Sequence, residues 1–173
     1  MAKESVAIIK ERINVDTVLQ QLNMALAEEW LAFYQYWIGA KVVKGAMRSD
    51  VQGEFEQHAL EEFQHAKLIA ERIIQLEGTP LLNPIQWFEQ AACQYDEPDG
   101  DFEVTRLLEQ NITSERCAIT RYQAIARLTD GKDFTTCDLA KRILADEEAH
   151  EQELQDFLED IKVLCRETCY HEQ

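Results

Sequence analysis

Four stretches of the chain carry apolar residues spaced alternately three and four apart, the pattern that lines the inward face of a bundled helix. The first runs Val18, Leu22, Ala25, Ala32, Tyr36, Gly39, Val43, and the second runs Val51, Phe55, Ile69, Leu76. The third runs Val104, Leu108, Ala118, Tyr122, Ile125, and the fourth runs Ala140, Leu144, Leu154, Phe157, Ile161. This spacing predicts helices over residues 16–43, 50–77, 102–129 and 135–162. Asp16 is the predicted cap of the first, and Ser49 or Asp50 that of the second. Gly78 with Pro80 is expected to stop the second and Gly131 the third. A short leading helix is expected over 5–12. Residues 79–101 hold prolines and an acidic turn and predict an extended crossover, with one helical turn near 84–90. Helices of about 26–29 residues are roughly 40 Å long. Two short connections and one long return predict an all-α four-helix bundle, and 173 residues suit a single domain over 1–173.

Each stripe is broken by polar residues near its middle: Glu29 in the first, His58, Glu62 and His65 in the second, Asn111 and Glu115 in the third, Glu147 and His150 in the fourth. Arg72 is a weak further member of the second. A buried ion costs several kcal/mol even after relaxation, so four buried carboxylates demand a cation, and two divalent ions balance them. The spacing is more specific than the count. Glu62-x-x-His65 and Glu147-x-x-His150 are i, i+3 pairs, each on one helix face. Glu29 precedes Glu62 by 33 residues and Glu115 precedes Glu147 by 32, so the pattern is an internal repeat. Tyr36 and Tyr122 follow the lone glutamates by seven residues, and Glu61 and Asp146 precede the paired ones. A phenol there can donate to a ligand carboxylate, and the extra acid can accept from an imidazole N–H. Solvent-facing acids would not fall twice into this phase. Glu28 sits on a more polar stripe than Glu29, and Glu148 lacks the spacing to His150. His58, one heptad before His65, reads as a satisfied core histidine.

Charge and composition narrow the function classes. The chain has 33 acidic and 17 basic residues, net −16, which repels nucleic acid and attracts cations. Lys3, Lys10 and Arg12 are offset by Glu4 and Glu11, so no basic arm is expected to bind DNA. Uncharged runs such as 30–40 are far shorter than a membrane span, and residues 1–5 lack a signal-peptide core, so a cytoplasmic location is expected. Five cysteines occur without a C-x-x-C pair. Cys137 has no assigned role, and Cys165, Cys169 and His171 read as a surface tail rather than a metal site.

The whole pattern resembles the ferritin-like di-iron superfamily, whose bundles take a glutamate from two helices and Glu-x-x-His from the other two. The resemblance implies Glu29, Glu62, His65, Glu115, Glu147 and His150 as metal ligands, with Glu62 and Glu147 bridging. Mixed carboxylate and imidazole donors favour iron, with manganese possible, over zinc. Bacterioferritins are similar around Glu29–Ala32, Glu62–Ala66 and Asp146–His150, but Phe63 stands where that family carries its haem-ligating methionine, so no haem is expected. Residues 27–36, Ser114–Cys117 and Cys93 look closer to the Dps-like peroxide-resistance proteins, or thioferritins. These pair a di-iron site with two cysteines in a twelve-subunit shell. Two residues turn a helix by about 200°, so Cys117 points away from Glu115, towards whatever covers its helix. The segment carrying Cys93 is a candidate cover. Taken alone, the two cysteines read either as small apolar fillers or as a redox pair, and the resemblance implies the pair.

The implied function is a ferroxidase that oxidises ferrous iron with hydrogen peroxide, protects against oxidative stress and stores iron in a homo-oligomeric shell. Iron storage with dioxygen as oxidant is the alternative, and a 24-subunit shell stays open. A substrate-oxidising enzyme would need an organic pocket, which Tyr36, Tyr122 and Phe55 would crowd.

Overall fold

The computed structural model describes residues 4–98, 100 and 102–170, with the side chains of 167–170 excepted. Its elements are α1 (Glu4–Lys10), α2 (Val15–Val42), α3 (Arg48–Gln75), α4 (Ile85–Gln90), α5 (Val104–Thr129) and α6 (Phe134–Tyr170). Among the described residues there is no strand, only an isolated parallel bridge between Lys44 and Glu103. That bridge fixes the topology. Lys44 donates its N–H to Phe102 and accepts from Val104, both at 2.8 Å, so the start of α5 lies at the end where α2 gives way to α3. The crossover therefore returns along the whole bundle, α5 runs parallel to α3, and the order is up-down-down-up. α2 packs along α3 and α5 along α6, while α4 lies against α2.

The helix ends depart from the sequence expectation. Asn14, not Asp16, caps α2: its side chain accepts from the N–H groups of Asp16 (3.0 Å) and Thr17 (3.3 Å). Neither Ser49 nor Asp50 caps α3. Its N-cap is Met47 in the left-handed region, at φ 58°, with no side-chain cap bond. At the far end of α3 the left-handed residue is Glu77 (φ 64°), while the Gly78 N–H closes on Ile73 O at 2.9 Å. Gly78 is there for room: a Cβ would come within 2.4 Å of Leu19 Cδ2. Arg72 is buried in a fork with Asp133 (2.8 and 2.9 Å) and Thr136, tying the end of α3 to the start of α6.

The inward stripes are buried throughout, with only Ala32, Ala118, Leu144 and Phe157 half-covered. They form two apolar layers. One contains Leu22, Ala25, Ile69, Ile73, Ile125 and Ile143. The other contains Phe55, Val51, Leu107, Leu108, Leu154 and Ile161. Between the layers lies a slab of acids and imidazoles.

Candidate metal centre

Every long helix delivers polar side chains to that slab. α2 supplies Glu29, α3 Glu62 and His65, α5 Glu115, and α6 Glu147 and His150, and none is more than 4% exposed. The i, i+3 spacing on α3 and α6 aims each Glu and His together at the bundle axis. Two overlapping groups result, Glu29–Glu62–His65–Glu147 and Glu62–Glu115–Glu147–His150, each with ligand atoms within 4.8 Å of one another. They share Glu62 and Glu147. His65 Nδ1 lies 3.4 Å from Glu29 Oε2, 3.4 Å from Glu62 Oε2 and 3.2 Å from Glu147 Oε1. His150 Nδ1 lies 3.3 Å from Glu62 Oε1, 3.5 Å from Glu147 Oε2 and 3.9 Å from Glu115 Oε2. Eight inward nitrogen and oxygen atoms are involved. Of these, Glu29 Oε2, Glu62 Oε1, both Glu147 oxygens and both histidine Nδ1 atoms are buried without a hydrogen-bond partner. Buried polar atoms are normally satisfied, so a convergent set of orphaned O and N donors fits one or two hard or borderline divalent cations.

The outer atoms are held by crossed contacts. The Tyr36 hydroxyl on α2 donates to Glu115 on α5, and the Tyr122 hydroxyl on α5 donates to Glu29 on α2. His65 Nε2 on α3 meets Asp146 on α6 at 3.3 Å, and His150 Nε2 on α6 meets Glu61 on α3 at 2.6 Å. Each outer group thus serves the opposite half of the repeat, and each Nε2 contact leaves Nδ1 facing the slab.

Electrostatics follow from crowding charge in a dry space. Burial, then the charges of Glu62 and Glu147, push the Glu29 carboxyl well above its ordinary range. Burial, then Glu147 and Glu62, do the same to Glu115. Burial would raise Glu62 too, but the surrounding imidazoles of His150 and His65 outweigh it and hold that carboxyl low. Burial opposes charge on the histidines, yet the carboxylates around His150 push it up to about 12, and His65 is also raised. Without metal, the two imidazoliums supply the positive charge that the acids require.

Cys93 and Cys117 are joined in a disulfide, Cα–Cα 5.8 Å, that staples the crossover to α5. A cavity of about 220 Å³ opens beside it, bordered by Gln35, Cys93, Gln110, Ser114 and Cys117. Cys93 and Ser114 also border a space of about 10 Å³, the room of one water, that reaches Glu29, Glu62, Glu115 and Glu147. The sequence reading missed what holds this arrangement. Glu28 is buried and takes Arg121 in a fork (2.9 and 3.0 Å). It also accepts the N–H groups of Ala92 (2.9 Å) and Cys93 (3.3 Å), pinning the crossover against α2 and α5. No spacing links residues 93 apart, so no sequence signal could have found the Glu28–Arg121 pair.

Other candidates fall elsewhere. Glu148 is exposed on the outer face of α6, and Cys137 is buried in the first apolar layer. Cys165 lies on exposed turns of α6, while the Cys169 side chain and His171 lie outside the described residues. Phe63 is 40% exposed and packs against Trp30, ring centroids 5.8 Å apart. His58 is fully buried but is not the satisfied core histidine expected, because its Nδ1 has no partner.

Comparison with known proteins agrees with this architecture. The ferritin-like domain family matches residues 19–164. The "DNA protection during starvation protein" of Pyrococcus furiosus is 29% identical over 146 residues, 84% of this chain and 79% of that protein. The "Bacterial ferritin" of Pseudomonas aeruginosa is 31% identical over 132 residues, 76% and 79% of the respective chains. The solved bacterioferritin-related protein of Bacteroides fragilis, a dodecameric thioferritin, superposes with a TM-score of 0.94 at 61% identity, covering 96% of this chain and 98% of that one. From its helix order, its buried carboxylate–histidine slab and these matches, the chain belongs to the ferritin-like family.

Proposed function

We propose that this chain is a Dps-like, thioferritin-type ferroxidase whose whole length acts as one ferritin-like domain. In this reading Glu29, Glu62, His65, Glu115, Glu147 and His150 hold two ferrous ions, with Glu62 and Glu147 shared between them. The observation that carries it is the pair of overlapping donor groups with those two residues in common. Manganese fits the same donors. Ferrous iron is substrate: two ions supply one electron each, and hydrogen peroxide with two protons is reduced to two waters.

The chain's own groups prepare that step. Tyr36 and Tyr122 fix the outer oxygens of Glu115 and Glu29. Asp146 and Glu61 hold the imidazole Nε2 protons so that Nδ1 faces the metals. The water-sized space bordered by Cys93 and the carboxylates suits a small oxidant such as peroxide and leaves no room for an organic substrate. When reduced, the Cys93–Cys117 dithiol gives two electrons and two protons to a peroxide, forming the disulfide and two waters. A wholly apolar surface cleft of about 310 Å³ beside Trp30, Tyr34, Trp87 and Phe88 supports a homo-oligomeric shell, and likeness to the dodecameric thioferritin of Bacteroides fragilis supports a count of twelve. The acidic balance supports iron handling and detoxification, in the cytoplasm on this reading, without direct nucleic-acid binding. Among the described residues no helix is long and apolar enough to cross a membrane.

Stopped-flow absorbance tests this. Ferrous-loaded protein should form ferric product faster with hydrogen peroxide than with dioxygen. A faster reaction with dioxygen would favour storage chemistry instead.

A further inference from the structure

We propose a third cation site, two turns of α3 away from Glu62, built from Glu54 and His58 of α3 and Glu153 of α6. It rests on the paired-site reading only for its role, that of staging ions for that site. The three donors lie within 4.8 Å of one another. His58 Nε2 is 3.2 Å from Glu54 Oε1 and 3.0 Å from Glu153 Oε2. His58 is 0% exposed, and its orphaned Nδ1 is not the nitrogen that meets the two carboxylates. The imidazole instead directs its other nitrogen between two carboxylates that reach solvent, with side-chain exposures of 23% and 48%.

The neighbouring acids show what is unusual here. Glu56 on α3 pairs with Lys41 at 2.6 Å, and Glu151 on α6 pairs with Arg116 at 2.6 Å. Among the described residues Glu54 and Glu153 meet no lysine or arginine; they face each other across the histidine. Partial burial, then the nearby Glu153 charge, pushes the Glu54 carboxyl up, the sign expected where a cation is due. Two carboxylates and one imidazole make an open, three-donor site for a divalent ion such as ferrous or manganous, which completes its coordination with water.

The site also communicates inward. The His58 ring stacks on His150, centroids 4.1 Å apart. His58, Glu61 and His150 form another group of donors within 4.8 Å. A cation leaving Glu153 therefore meets carboxylate and imidazole at each step towards Glu62.

The test uses the assembled full-length protein under anaerobic conditions, with manganous ion as the probe and free ion counted by electron paramagnetic resonance. The E54Q/E153Q variant should bind one ion per chain fewer than wild type. E71Q/E89Q, which removes two exposed acids elsewhere, should bind as many as wild type. E62Q/E147Q should lose the paired-site ions and keep the third, so the two readings fail separately. The proposal is overturned if E54Q/E153Q binds as much as wild type, or if E71Q/E89Q loses as much. The staging role further requires the initial ferroxidase rate of E54Q/E153Q to fall severalfold at limiting iron and to match wild type at saturation. An unchanged rate at limiting iron would overturn that role.

Discussion

Replacing Glu115 with glutamine should stabilise the metal-free protein and weaken the metal-bound one. Glu115 is 2% exposed and its Oε1 accepts from Tyr36. Glutamine keeps that acceptor and places an NH₂ among the carboxylates, so packing is retained while a group that must either bear a buried like charge or take up a proton is removed. An uncompensated buried ion costs several kcal/mol, and His150 Nδ1 at 3.9 Å offsets part of it. A net gain of about 1–3 kcal/mol remains, the usual desolvation cost of an unsatisfied buried group. For a chain of this size that raises Tm by about 2–4 °C per kcal/mol. The sign with pH is fixed. Burial raises the folded carboxyl above its unfolded value, so the folded state binds the proton more tightly. Wild-type stability is then undiminished below the unfolded value of about 4.3 and falls as pH rises from there towards the folded one, so the advantage of Glu115→Gln widens with pH. Divalent metal reverses the order: at a hundredfold excess over Kd wild type gains about 2.7 kcal/mol, and the variant, one ligand short, gains less. Calorimetry in chelator and in manganous ion, from mildly acidic to neutral pH, reads all three effects. A variant less stable than wild type in chelator, or gaining as much from metal, would refute the reasoning.

Three further substitutions probe the frame around the site. Cys117→Ser opens a loop spanning 24 residues and should cost about 3–4 kcal/mol by chain entropy; calorimetry with and without reductant checks it, and reductant should erase the difference. Glu28→Ala strands the Arg121 guanidinium and the Ala92 and Cys93 amides, costing about 3–5 kcal/mol as a broken buried pair. Hydrogen exchange should quicken at those two amides, and unchanged exchange would contradict their anchoring. Gly78→Ala drives a Cβ to 2.4 Å from Leu19 Cδ2 and should lower stability by about 1–3 kcal/mol in a denaturant titration.

Much of this frame was legible because helical period is local. Val18 to Val43 and Val51 to Leu76 could be placed on inward faces from spacing alone, and the same register put Glu29, Glu62, His65, Glu115, Glu147 and His150 in one slab. Helix ends were less legible. Asn14 and Asp16 are both capping types, and the choice between them rests on backbone geometry two residues upstream. Met47 begins α3 in a left-handed conformation that its side chain does not advertise. The tyrosines and outer acids were visible as a repeat, but not their crossing: Tyr36 serves Glu115 and Asp146 serves His65 because antiparallel neighbours face each other. Glu28 was hidden because its worth comes from Arg121 and from crossover amides, contacts that exist only after the chain has returned along the bundle. The half-satisfied state of His58 depended likewise on where α6 places Glu153.

Anomalous diffraction at the iron edge, from crystals soaked in ferrous salt without oxygen, tests the paired site most directly. Two peaks are expected between α2, α3, α5 and α6, both touching Glu62 and Glu147, one beside His65 and the other beside His150. A single peak away from those carboxylates, or none in the slab, would contradict the assignment.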